Sequence, residues 1–69
     1  MNNLETLRTA QHMTQQELAR RVGCSRLSIF RWERALSLPT GDNLLKLAAA
    51  LGVTPNELLG VGDEKSPGA

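Results

Sequence analysis

The sequence predicts an all-α domain, on three observations. Apolar residues recur at separations of three and four, and strand-like alternation is absent. Hydroxyl side chains at Thr14, Ser25, Thr40 and Thr54 stand just before these segments, and Gly23, Gly52 and Gly60 stand just after three of them. The chain has 69 residues, room for one small domain. A domain of this size hides only about 60% of the surface its unfolded chain exposes. A large buried cleft is therefore excluded, and a contact surface for protein or nucleic acid is favoured.

The first helix is expected over roughly residues 3–11, where Leu4 and Leu7 begin an apolar stripe; His12 falls just past its end. Thr14-Gln15-Gln16-Glu17 has the spacing of a capping box, in which the Thr14 hydroxyl and Glu17 carboxylate each accept from the other residue's backbone N–H. A second helix follows over about 15–22, with Leu18, Ala19 and Val22 on one face and Gly23 as a left-handed stop. Ser25 caps a third helix of about 26–34, and Pro39 ends the connector that follows it. Thr40 caps a fourth helix, about 41–51, whose Leu44, Leu47, Ala48 and Leu51 share a face. Thr54-Pro55-Asn56-Glu57 is a second capping box, with proline where a missing N–H does no harm, and its short helix ends near Leu59. One domain over residues 1–60 and a disordered tail over 61–69, rich in Gly, Ser, Pro and charge, are the expected organisation.

Composition narrows the chemistry. Hydrophobic residues at 41% and charged ones at 22% fit a soluble globular chain. A lone Cys24 forbids an internal disulfide, and one Cys with one His cannot complete a zinc shell. Cys24 and His12 lie in different inter-helix turns with no third orienting group, so no catalytic residue is assigned, and Cys24 reads as a small structural apolar residue. Neither a metal nor another cofactor is called for, since paired carboxylates and phosphate-cradling glycine loops are missing. The apolar run Leu47-Ala48-Ala49-Ala50-Leu51 is far short of the ~20 residues of a membrane span. No signal-peptide core precedes it, so the cytoplasm is the expected compartment. With no second domain in view, a small-molecule effector is not expected.

Net charge is +1, but it is unevenly spread. Residues 20–34 hold five arginines against one glutamate, net +4, while the flanking segments are net negative. Arginine makes forked contacts to phosphates and guanine edges better than lysine does. At 100° per residue, Arg26, Leu27, Phe30, Arg31 and Arg34 fall within an arc of about 140°, opposite Ser28, Ile29, Trp32 and Glu33. Ile29 and Trp32 mark the second set as the core face. The first set interleaves arginine with apolar side chains, a pattern that fits a DNA major groove: guanidinium groups for guanine or phosphate, apolar groups for thymine methyls. The competing reading has Leu27 and Phe30 in the core and the arginines solvated. A capped helix, a turn at Gly23-Cys24-Ser25 and an Arg-rich helix form the layout of a helix-turn-helix, which favours the groove reading.

Thr14-Gln15-x-x-Leu18-Ala19-x-x-Val22-Gly23-Cys24-Ser25-x-x-x-Ile29-x-x-Trp32-Glu33-Arg34, then Pro39 and Leu44-x-x-Leu47-Ala48-x-x-Leu51-Gly52-Val53, closely resembles the phage repressor/Cro-like family of helix-turn-helix proteins. The resemblance covers residues 4–59 and is specific as a set rather than motif by motif. It implies a compact five-helix repressor-like domain whose second and third helices form the helix-turn-helix and whose third helix enters the major groove. By position it implies base reading by Arg26, Leu27 and Arg31. Gln15 would hold a phosphate or assist the base-reading side chain, and Ser25 and Arg34 would lie near the DNA backbone. Phe30 joins the reading face on helix geometry alone. Arg8 and Glu33 match a pair that forms a partly buried salt bridge, and Glu33 sits on the inner arc of its helix.

Two positions depart from the family pattern. Ala35 and His12 stand where glycine is usual, so a left-handed backbone at either would carry strain, less for His than for Ala. The family commonly binds DNA as dimers, with reading helices about 34 Å apart. Leu58, Leu59 and Val61 are candidates for that two-fold contact, although the run equally reads as a cover for the core; Leu36 and Leu38 are the alternatives. The expected function is a sequence-specific regulator of transcription, such as a repressor, on double-stranded DNA. The rival is a protein-interaction module, antitoxin-like or an anti-repressor partner, using the Leu27/Phe30 face.

Overall fold

The computed structural model describes residues 3–60, and within them every regular element is a helix. In chain order these are α1 (Leu4–Ala10), α2 (Gln15–Val22), α3 (Arg26–Glu33), α4 (Gly41–Leu51) and α5 (Pro55–Leu59). The tail over 61–69, Val61 included, lies outside the described residues.

The helix starts follow from side-chain caps. Thr14, Ser25, Thr40 and Thr54 each accept from the backbone N–H three residues on, and the boxes at Thr14/Glu17 and Thr54/Glu57 are closed from both sides. Each such cap is worth about 1 kcal/mol to helices too short to persist alone. α1 is the exception, since Asn3 makes no side-chain cap. Instead the Asn3 backbone N–H donates to the Leu58 carbonyl at 2.8 Å and its Nδ2 to the Glu57 carbonyl at 3.0 Å. The start of α1 is thus fastened to α5 rather than capped locally.

The ends of α1 and α3 carry the strain foreseen at His12 and Ala35, both at φ 58°. Each occupies the left-handed position of a six-residue stop. Met13 and Leu36, one residue on, donate back to the carbonyls of Arg8 and Arg31 at 3.2 and 2.9 Å. α3 ends one residue before the sequence reading put it, with Arg34 as its C-cap.

α2 packs on α3 and α4, α1 on α3 and α5, and α5 on α4. Leu18, Ala19, Ile29 and Leu47 are fully buried, and Leu4, Val22, Trp32, Leu51 and Leu58 complete the centre. Each large side chain withdrawn from water contributes about 1.5–3 kcal/mol before entropy is counted. Leu58 is therefore spent on the core at 2% exposure and is unavailable to a partner, which corrects its candidacy for a two-fold contact. Leu59 stays half-buried beside it.

Candidate nucleic-acid interface

The burial of α3 divides along its two arcs. Ile29 and Trp32 are buried, while Arg26, Leu27 and Arg31 are exposed, as is Arg34 just beyond the helix. Leu27 keeps half of its surface open at 50%. Phe30, at the middle of the outer arc, is half-buried, and the Arg34 guanidinium lies over its ring at 5.3 Å from the centroid. That cation–π contact holds both side chains along one edge of the helix.

At the start of α3 the Ser25 hydroxyl accepts from the Ser28 backbone N–H at 3.1 Å, and its Oγ lies 3.1 Å from the Ser28 Oγ. Helical periodicity had assigned Ser28 to the inner arc. Its hydroxyl instead joins Ser25 at the exposed N-terminus, where backbone N–H groups suit an anion. The three-residue spacing of the two serines was the available signal.

Beneath the exposed arc lies a polar cluster. Glu33 Oε2 accepts from Arg8 Nε at 2.5 Å, and Oε1 accepts from Arg8 Nη2 at 3.3 Å and from Gln15 Nε2 at 2.9 Å. Arg8 also donates through Nη1 to the Met13 carbonyl at 2.7 Å. The pair is nearly closed to water, with side-chain exposures of 10% for Arg8 and 2% for Glu33. Among the described residues no buried side-chain polar atom lacks a hydrogen-bond partner. The forked pair ties α1 to α3 across 25 positions of sequence. On the outer side, Gln15 Oε1 accepts from Arg26 Nη1 at 3.2 Å.

The remaining sequence candidates fall elsewhere. Leu36 and Leu38, on the connector between α3 and α4, are 68% and 78% exposed. Leu38 and Leu59 line an apolar pocket of about 110 Å³ together with Trp32, Leu44 and Leu47. Cys24 is half-buried, and that desolvation pushes its thiol above the ordinary range. No His/Cys/Asp/Glu group able to hold a metal occurs among the described residues. None of their helices is long and apolar enough to cross a membrane.

Known proteins share this arrangement. The helix-turn-helix family profile matches residues 4–58. The transcriptional regulator DicA of Escherichia coli K12 is 39% identical over 54 residues, which cover 78% of this chain and 40% of DicA. The repressor protein C2 of Salmonella phage P22 is 44% identical over 45 residues, 65% of this chain and 21% of that one. This chain thus spans less than half the length of either. The P22 c2 repressor structure, solved with a synthetic operator, superposes with a TM-score of 0.80 at 36% identity, covering 84% of this chain and 88% of that one. The restriction-modification controller C.AhdI of Aeromonas hydrophila gives 0.75 at 39% identity, covering 78% and 82%. With a family match over residues 4–58 and relatives that share both sequence and fold, the chain belongs to the helix-turn-helix family.

Proposed function

We propose that this protein is a sequence-specific regulator of transcription that lays α3 in the major groove of double-stranded DNA. The observation that carries the reading is the single exposed face of α3, with Arg26, Leu27 and Arg31 together and Arg34 at its end, set on a buried Ile29/Trp32 face. Arg26, Leu27 and Arg31 read base edges; Ser25 and Arg34 meet the phosphate backbone. The likeness to a repressor solved on its operator supports the same placement. Phe30 serves this face by carrying Arg34 rather than as an open probe of bases.

One helix of this length reads too few base pairs for useful affinity, so the working form is a dimer on an inverted repeat. Leu36, Leu38 and Leu59 supply the apolar surface for it.

Selection of bound duplexes from a random pool tests the reading. An enriched inverted repeat is expected. Arg26→Ala or Arg31→Ala should each lose discrimination at one base position per half-site, by about 1–3 kcal/mol. Arg34→Ala should weaken all sequences alike and lower the salt slope by about one. Recovery of no motif would refute the reading and favour a protein partner on the Leu27 face.

A further inference from the structure

The apolar pocket lies on the inner side of α3, away from the arc proposed to read DNA. Leu4, Trp32 and Leu47 in its wall are buried, while Leu38 at its edge is 78% exposed, so the space is closed on one side and open on the other. Four helices and the α3–α4 connector contribute to it, and no charged or hydroxyl-bearing side chain does. The chain does not cover the pocket itself. Met13, Cys24 and Val53 each follow a left-handed helix stop, donate back to the carbonyl five residues earlier, and pack on the core. Leu36 follows the stop at Ala35 with the same bond, to the Arg31 carbonyl, yet is 68% exposed. Of these stops, only the one at the end of α3, where Trp32 and Ala35 line the pocket, is left without an apolar cover.

We infer that this pocket is a binding site for a small uncharged apolar molecule, hydrocarbon-like and no larger than one six-membered ring. Size comes from the volume: an apolar cavity of about 150 Å³ stays dry and takes up benzene, and this one has about 110 Å³ with an open edge. Charge is excluded because the lining would withdraw an ion from water and offer it no partner. Trp32 supplies an aromatic surface on which a ring can stack or meet edge to face. Entry through the Leu38 edge requires no unfolding. Lack of a second domain removes the usual place for an effector, but this site lies inside the one domain. A bound molecule would touch the inner face of the helix whose outer face carries Arg26 and Arg31, although the site does not rest on the DNA reading. Leu38 and Leu59 are also counted in the proposed two-fold surface, so a second copy is the rival occupant.

Trp32 is the only tryptophan in the chain, so its fluorescence reports on the pocket without a label. Bromobenzene, whose heavy atom quenches an indole that it touches, should quench Trp32 saturably with a Kd of about 1 mM, the affinity expected from burying one ring. Benzene should reverse the quenching, and benzoate, the same ring with a charge, should not. Leu44→Phe fills the space and should weaken binding about tenfold or more. Should that variant fail to fold by circular dichroism, Leu38→Asp, at an exposed position, sets a charge at the open edge and should weaken binding about threefold or more. Quenching that rises linearly without saturating, reversal by benzoate as readily as by benzene, or undiminished binding in the folded variant would overturn the site. Quenching seen only below the protein concentration at which sedimentation finds a dimer would assign the pocket to a second copy and overturn it equally.

Discussion

Replacing Ala35 with glycine should raise the stability of the domain, and the structure fixes how much. Ala35 sits at φ 58°, where an L-residue with a Cβ costs roughly 1–2 kcal/mol. Glycine returns part of that gain, about 0.4–1 kcal/mol, because it frees the unfolded chain. Ala35 is exposed, so losing its methyl group sacrifices little burial. The net gain should be about 0.5–1 kcal/mol, or about 2–8 °C in Tm for a domain of this size. Gly52 is the matched control: it ends α4 at φ 71° and a Cβ built on it meets no atom within 4 Å. Gly52→Ala should therefore lose a comparable amount through conformation alone. Thermal and urea melts followed by circular dichroism measure both, with the urea slope unchanged if the native state is intact. A neutral or destabilising Ala35→Gly beside a costly Gly52→Ala would refute the strain assigned to the end of α3.

Three further outcomes follow from features already described. Arg8→Ala should cost about 3–5 kcal/mol by stranding the buried Glu33 carboxylate, enough to unfold much of a small domain at 25 °C in a urea titration. Arg8→Met with Glu33→Leu should recover part of that loss, since removing both charges costs less than removing one. The Glu17 carboxyl is held below its ordinary 4.5 by the Thr14 backbone N–H and then by the Thr14 hydroxyl, with Arg21 and Arg20 adding to the effect. Because its folded pKa is depressed, its stabilisation is complete above the unfolded pKa and is lost as pH falls through the folded one. An NMR titration should place the Glu17 midpoint below 4.5, and Thr14→Val should raise it.

The starts of the four later helices were legible because each is written in adjacent residues, whereas that of α1 depends on α5. Thr14 with Glu17, Thr40, and Thr54-Pro55 with Glu57 specify caps that need no tertiary contact, and α2, α4 and α5 begin where those signals stand. The outer arc of α3 was legible for Arg26, Leu27 and Arg31 because a 100° step fixes direction on a rigid helix. What periodicity lacked was the third dimension. Phe30 points outward by angle but is covered by a guanidinium one turn later. Leu58 was ambiguous between core and partner surface, since an apolar side chain near a chain's end looks the same either way. The bridge that Gln15 makes between Glu33 and Arg26 was least accessible, because residues 8, 15, 26 and 33 meet only once three helices have packed. Family resemblance supplied the Arg8/Glu33 pair and offered Gln15 two roles without that bridge.

The fastening of Asn3 to α5 makes the backbone nearly a closed ring. A Cβ placed on Gly60 would stand 3.2 Å from the Asn3 side chain, so the two ends of the described fold touch. Whatever is fused to either end must leave from the same corner of the domain. A few residues linking 60 back to 3 would let the ring be cut elsewhere, with the exposed connector at Leu36 to Leu38 as the natural opening. Such a permutant would place new termini beside the proposed two-fold surface while keeping every buried contact of α3, thereby separating pairing between copies from reading by one.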